Sequence, residues 1–286
     1  HVAQHYGMSW NTVKRIHKNH LQQELDPADF SNVTVIGMDE FAIQKGHRYA
    51  TVIVDMNTKR VLWVGRGRGR EDIRPFFHLL GENGCKQLEA VAIDMNGAYE
   101  EEARSHCPEV EIIYDLYHVK AKYIRDVVER VRIDELGRVR GSEPGRKVTP
   151  HERWLLLRNN ENVTDEEDRI RLSELLAANK RIYTVYILKE DLNHLWSYRS
   201  IDEALAFWKQ WYRRAIYSKI EALKKFARNL KTYLPGVLAH CTYPFGTNLI
   251  EGINNKIKVI KRMAYGFRDD QYFFLRIRHA FPGNRG

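Results

Sequence analysis

Three carboxylates stand at points where the pattern of the chain changes. Asp39 closes the β-rich run VTVIGMDE, Asp94 closes EAVAID, and Glu251 lies in the first turn of a helical stretch that opens TNLIEG. Acidic side chains gathered in a crevice repel one another, and a divalent cation offsets that repulsion. Mg²⁺ takes hard oxygen ligands and keeps several waters, so one or two carboxylates per ion plus substrate phosphate oxygens complete its octahedron. Two such ions can activate an attacking oxygen and stabilise a leaving one in an in-line displacement at phosphorus. That chemistry needs no side-chain nucleophile, and none is evident. Any one of these acids alone reads as a turn or cap residue; the ordered trio carries the reading. Two other acids compete. Glu40 should alternate to the sheet face opposite Asp39, and Asp55 should lie at the far end of an antiparallel hairpin, which makes both solvated or helper residues.

The elements that must position the trio follow from periodicity. Residues 33 to 65 carry the runs VTVIGMDE, RYATVIVDM and RVLWVGR with short polar connections, the pattern of an antiparallel three-strand meander. EDIRPFFHLLGENG then reads as a helix ending at glycine, EAVAID as a buried strand, GAYEEEARSHC as a helix and VEIIYD as a fifth strand. The β-β-β-α-β-α-β order predicts a mixed five-stranded α/β sheet of the ribonuclease-H kind, in which the first and fourth strands are central neighbours. Their two aspartates then project into one crevice, and a later helix can add the third acid.

From His118 to about Leu238 the pattern turns helical, with HVKAKYIRDVVERVRI, HERWLLLRN, a long stretch from Asp165 to Trp196 and another from Ser200 to Leu234. This predicts a large all-helical insertion, in which Trp154, Trp196, Trp208 and Trp211 at helical spacing read as core, or else as a platform for flipped bases. The basic segment RVRGSEPGRKVTP, 138–150, reads as an exposed loop able to touch phosphate. The expected organisation is a partial helix-turn-helix over 1–25, the first part of the core over 30–120, the insertion over 121–240 and the last part of the core over 241–286.

The chain has 286 residues and a formal net charge of +9, which points to a polyanionic partner and most directly to nucleic acid. No run approaches the length of a membrane span and no secretory pattern opens the sequence, so a cytoplasmic, nucleoid-associated protein is expected. Cys85, Cys107 and Cys241 are far apart in sequence and form no CxxC pair, and they read as isolated buried thiols. The opening VAQHYGMSWNTVKRIHKNHL has the layout of a helix-turn-helix, with a turn at Gly7 to Ser9, Ser9 or Asn11 as cap, and Lys14, Arg15 and Lys18 presented to DNA. Its alternative is a basic helical hairpin that only packs on the body. The last helix, capped by Thr247 or Asn248, carries Lys256, Lys258, Lys261 and Arg262 after Glu251. Residues three to four apart there share a face and can hold phosphates beside the metals, or else form a solvated basic face.

Together, GMDEFAIQKGHRYATVIVD, AIDMNGAY, YDLYHVKA and NLIEGINNKIKVIKRMAYGFRD resemble the insertion-sequence transposases of the ISL3 family, with their Asp-Asp-Glu catalytic domain. The resemblance covers nearly the whole chain. It implies a ribonuclease-H-like fold with a helical insertion before the Glu-bearing helix, and Asp39, Asp94 and Glu251 as the acids that bind two Mg²⁺ ions, with Mn²⁺ as a substitute. It implies double-stranded DNA, transposon ends and target, as partner, and a homodimer or higher oligomer to join two ends in concert. The run Asp115 to His118 matches an Asp/Cys-x-x-His motif of several transposase families, so His118 either steadies a base pair or phosphate near the cleavage point or serves as a capping or supporting histidine. Family members usually carry an N-terminal Cys-rich zinc segment before a complete helix-turn-helix; here the sequence opens part-way through that region, so an upstream segment is expected. Two other functions share these features. A structure-selective nuclease uses the same acids with water as nucleophile, and a non-catalytic DNA-binding regulator keeps the fold without needing the acids.

Overall fold

The computed structural model describes residues 2–25, 29–44, 46, 48–95, 97–139, 149–245 and 248–284. At its centre lies a five-stranded sheet. Strand β1 (Val35–Gln44) pairs antiparallel with β2 (Arg48–Asp55), which pairs antiparallel with β3 (Val61–Arg66). On its other side β1 pairs parallel with β4 (Ala90–Ile93), and β5 (Glu111–Tyr114) completes the order β3-β2-β1-β4-β5. The meander and the mixed α/β class are those expected from the periodicity, and the central β1–β4 neighbours those expected of a ribonuclease-H-like sheet.

Helices α1 (Val2–His5) and α2 (Trp10–Leu25) precede the sheet, α3 (Arg70–Gln87) links β3 to β4, and α4 (Gly97–His106) links β4 to β5. Helix α3 does not stop at Gly84 as its sequence suggested. Gly81 takes φ +69° and breaks the helix locally, and the chain resumes helical form to Gln87. The chain divides into a first unit, residues 1–112 with 245–286, and a second, residues 113–244.

In the first unit the sheet is covered on both faces. Phe41, Ile43, Ala50, Val52 and Val54 point to one face and pack on Ile253 and Ile257 of α13 (Asn248–Met263) and on Phe273 and Ile277 of α14 (Asp270–Ala280). Full burial of one such phenylalanine contributes about 1.5–3 kcal/mol. Thr51 alternates to the other face and bonds Tyr99 of α4, while Trp63 of β3 meets Phe76 of α3. Helices α3 and α4 are tied together by Glu102, a fully buried carboxylate that accepts from Arg74 at 2.7 Å and Arg70 at 3.1 Å and lies 3.1 Å from His106. The thiols of this unit are not isolated. Burial pushes the Cys107 thiol up, and Cys85 beside it, in hydrogen-bond contact, adds to the shift. Sequence separation gave no hint of that pairing, because α3 and α4 bring the two together only after the crossover folds.

The second unit is helical: α5 (Leu116–Tyr123), a π-helical turn at Ile124–Val128, α6 (Glu129–Val139), α7 (Pro150–Leu157), α8 (Glu166–Ala178), α9 (Lys180–His194), α10 (Ile201–Tyr217), α11 (Glu221–Thr232) and α12 (Leu234–Leu238). Tyr123 donates to the Val185 carbonyl and the Trp211 indole to the Leu188 carbonyl, each at 2.8 Å, which satisfies the polar ends of two buried rings. Trp208 and Trp211 are core, whereas Trp154 is exposed, with the Arg158 guanidinium 3.7 Å from its ring centre. Most of the basic loop expected over 138–150, residues 140–148, lies outside the described residues. Among the described residues no helix is long and apolar enough to cross a membrane.

Candidate active site

The β1–β4 ladder ends where Gly37 faces Ala92, and two residues beyond each stand Asp39, still in β1, and Asp94, the first residue past β4. Parallel neighbours lie about 4.8 Å apart, so the register itself brings the two acids together. Asp39 does not end its strand, contrary to the sequence reading. Strand β1 runs on to Gln44, paired only with β2, so Asp39 sits mid-strand at the point where β4 stops. The crevice is the notch left by the shorter neighbour.

Alternation settles the faces. Gly37 lies under Ile250 of α13, whose Cδ1 would be 2.5 Å from a β-carbon built there, so the absence of a side chain lets α13 approach the sheet. Asp39, two residues on, points to the same face and meets the same helix: the Asn254 amide Nδ2 donates to Asp39 Oδ2 at 2.5 Å, while Oδ1 of Asp39 accepts from the Glu40 N–H at 2.8 Å. Glu251 precedes Asn254 by three residues, hence on the same side of α13, and its side chain is exposed. The expected cap of α13, Thr247, lies outside the described residues, as does the side chain of Asn248. Asn254 was not picked out from the sequence, though its spacing from Glu251 was a usable signal.

Glu40 takes the opposite face, as alternation requires, and its Oε1 accepts from Arg68 at 3.2 Å, while Oε2 is buried without a hydrogen-bond partner. Beneath it Thr51 donates to the Gly67 carbonyl at 2.8 Å, so Tyr99 must donate its hydroxyl to Thr51 at 2.7 Å. Burial raises the Tyr99 pKa against the opposing effect of its bond with Thr51, the charges of Glu40, Asp39 and Asp94 raise it further, and the phenol stays protonated. Asp55 is buried at the far end of the hairpin, where it accepts from the Asn57 N–H at 3.0 Å and the Thr58 hydroxyl at 2.5 Å, a turn role.

Asp39, Asp94 and the helix of Glu251 are thus brought together, but among the described residues no three His, Cys, Asp or Glu side chains form a ready cage for a metal. The donors present are hard carboxylate oxygens, while the Oδ1 of Asn254 is turned away from Asp39 and buried without a hydrogen-bond partner. Such a set suits Mg²⁺, which keeps its own waters and needs no complete protein cage.

The basic candidates fall into different environments. Lys256, though exposed, donates to the Ala280 carbonyl at 2.8 Å and lies 4.5 Å from the Phe281 ring centre. Lys261 reaches the Ala42 carbonyl at 3.0 Å, and Lys258 and Arg262 are exposed. In α2, capped by Ser9 whose Oγ accepts from the Thr12 N–H at 3.1 Å, Lys14 and Lys18 pair with Asp269 at 3.4 and 3.2 Å and Leu21 is buried, so this face packs on the body and Arg15 remains exposed. His118, in the helical unit, lies 3.9 Å from Asp115, whose carboxylate caps α5 by accepting from the Tyr117 N–H.

A mixed sheet with neighbouring aspartates on its first and fourth strands, and a later helix carrying an acid laid over them, is the arrangement of ribonuclease-H-like nucleic-acid enzymes. Residues 36–277 match the ISL3-type DDE family model described as "Transposase", and the chain belongs to this family of insertion-sequence transposases. It is 50% identical, over 99% of its length and 70% of the relative's, to the transposase for insertion sequence element IS1001 of Bordetella parapertussis. It is 27% identical, over 90% of its length and 62% of the relative's, to the transposase for insertion sequence element IS1557 of Mycobacterium tuberculosis.

Proposed function

We propose that this chain carries the catalytic centre for metal-dependent cleavage and strand transfer of insertion-sequence ends, with Asp39, Asp94 and Glu251 as the acids that hold two Mg²⁺ ions. The observation that supports this best is the bond from Asn254 to Asp39, because it ties the helix of Glu251 to the notch where Asp39 and Asp94 emerge. When bound, the ions supply Lewis-acid stabilisation of the attacking and leaving oxygens. The chain's own residues do the rest. Asp39 and Asp94 offer carboxylate oxygens from a rigid sheet, Asn254 fixes the orientation of Asp39, and Glu251 closes the set from an exposed helix turn open to a duplex. Lys258, Lys261 and Arg262 lie further along the same helix, where they would hold DNA phosphates in register with the acids, and Arg15 offers a further cation from α2. By its resemblance to the Asp/Cys-x-x-His motif, His118 is a further candidate for DNA contact. The working assembly is a homodimer or larger oligomer on double-stranded DNA, in a nucleoid-associated cytoplasmic setting.

The test is cleavage and joining of a labelled transposon-end duplex in Mg²⁺ by the full-length parent and by Asp39→Asn, Asp94→Asn and Glu251→Gln. Loss of both steps in each variant, with DNA binding retained, is expected. Activity in all three variants would refute the metal-site assignment, and cleavage without joining in the parent would assign a nuclease instead.

A further inference from the structure

Helix α13 ends in a turn that suits glycine better than the residue it carries. The Gly266 N–H bonds the Lys261 carbonyl at 2.9 Å and the Tyr265 N–H bonds the Arg262 carbonyl at 3.0 Å, the two hydrogen bonds of a Schellman motif. In that motif the left-handed position is where glycine normally stands, yet here it is held by Tyr265 at φ +51°. A side chain in that region is strained, and packing would usually compensate. Tyr265 has no such compensation: it is fully exposed, at 102% relative accessibility.

Tyr265 lines a cleft of about 1130 Å³ that is also lined by Trp10, the first residue of α2, itself 65% exposed. Lys14, Lys258, Lys261, Arg262 and Arg268 also line this cleft and outnumber its carboxylate, Asp269. Its floor is Phe41 to Gln44, the continuation of β1 immediately beyond the Asp39 notch. Lys258 follows Glu251 by two helical turns, about 10 Å along α13. Aromatic faces open to solvent beside a surplus of cations form a stacking platform with an electrostatic track, the combination that takes unpaired nucleobases on a phosphate chain. A closed duplex offers only stacked, unavailable base faces to such rings.

We propose that this cleft binds a single-stranded stretch of DNA next to the scissile phosphate, with bases stacked on Tyr265 and Trp10 and phosphates held by Lys258, Arg262 and Arg268. The proposal rests on the DNA-processing reading above and goes beyond it by assigning an unpaired segment to a site distinct from the three acids.

Binding of a labelled duplex bearing a short single-stranded extension, and of the same duplex blunt-ended, is measured in EDTA for the full chain and for Tyr265→Gly, Tyr265→Phe and Trp10→Ala. Tyr265→Gly suits the left-handed position better than the parent residue, so its unfolding temperature is expected to be equal or higher, and a misfolded variant cannot account for weakened binding. Affinity for the extended DNA should fall roughly five- to hundred-fold in Tyr265→Gly and in Trp10→Ala, the range for removal of one base–aromatic stack, and hold in Tyr265→Phe. The blunt duplex should bind as before. Unchanged affinity for the extended DNA in Tyr265→Gly overturns the proposal, and so does an equal loss on both DNAs. The readout without metal separates this from the catalytic assignment. Abolished catalysis with a retained preference for the extension leaves the cleft standing, whereas a preference unaffected by Tyr265 and Trp10 removes the cleft and leaves the acids untouched.

Discussion

The amide of Asn254 donates to the carboxylate of Asp39 at 2.5 Å, joining positions 215 residues apart in the sequence. This one bond fixes the orientation of the amide, since the nitrogen must face the carboxylate and the oxygen must therefore turn away. That oxygen is buried without a hydrogen-bond partner.

Replacing Asn254 separates its two atoms. In Asn254→Ala the Asp39 oxygen loses its donor, and stability should fall by about 1–3 kcal/mol together with Mn²⁺ affinity. In Asn254→Asp two carboxylates face each other and only a cation can reconcile them. The unfolding temperature of this variant should drop in EDTA and rise with added Mg²⁺ by more than that of the parent. Scanning calorimetry with and without Mg²⁺ measures this, and an identical response to Mg²⁺ in Asn254→Asp and parent would show that the site does not gather cations.

What could be read from the residues divides along a physical line. The strand runs and their order were legible because alternation and short polar connections are local signals. The position of Asp39 within β1 was not, because the strand continues only through its pairing with β2 after β4 has ended, a tertiary fact. Asn179 and Lys219 make the same point in the helical unit. The stretch from Asp165 to Trp196 reads as one amphipathic run, yet the Asn179 side chain turns back to accept from the Arg181 and Ile182 N–H groups and starts a new helix. Lys219 takes φ +60° and divides the next run between α10 and α11. Asn254 was hidden for another reason: a neutral amide has no chemistry of its own until a carboxylate stands opposite.

Glu102 should govern the acid limb of stability. Its hydrogen bond from Arg74 above all, then those from Arg70 and His106, hold its carboxyl down to about 2 against the opposing effect of burial, from an ordinary 4.5. The folded pKa lies below the unfolded one, so this group stabilises the fold fully above pH 4.5 and the contribution is lost as the pH falls towards 2. Glu102→Gln should lose about 1–3 kcal/mol at neutral pH, less than for a pair of buried ions because Arg70 and Arg74 are 43% and 34% exposed and can rehydrate. Urea titrations across this range should show a shallower loss of stability in the variant; parallel curves would remove Glu102 from the acid transition.

The basic residues of α13 should not act alike. Lys258, Lys261 and Arg262 together, changed to glutamine, should flatten the dependence of log K on log salt for duplex DNA by about 2–3, near 0.9 for each phosphate no longer neutralised. Lys256→Gln should leave that slope nearly unchanged and instead lower thermal stability, because its ammonium is held by both the Ala280 carbonyl and the Phe281 ring, whereas that of Lys261 has the one bond to the Ala42 carbonyl to exchange for phosphate. Fluorescence anisotropy over a salt series distinguishes the two, and a slope unaffected by the triple change would free this helix face of any role on DNA.

The measurement that bears most directly on the acids is the anomalous scattering of Mn²⁺ in crystals of the protein with a bound transposon-end duplex. Peaks between the carboxylates of Asp39 and Asp94, with a further contact from Glu251 and none in Asp39→Asn, are the expected result. Saturating Mn²⁺ that leaves this notch empty while the duplex is bound, or that settles on acids elsewhere, would contradict the metal-dependent mechanism.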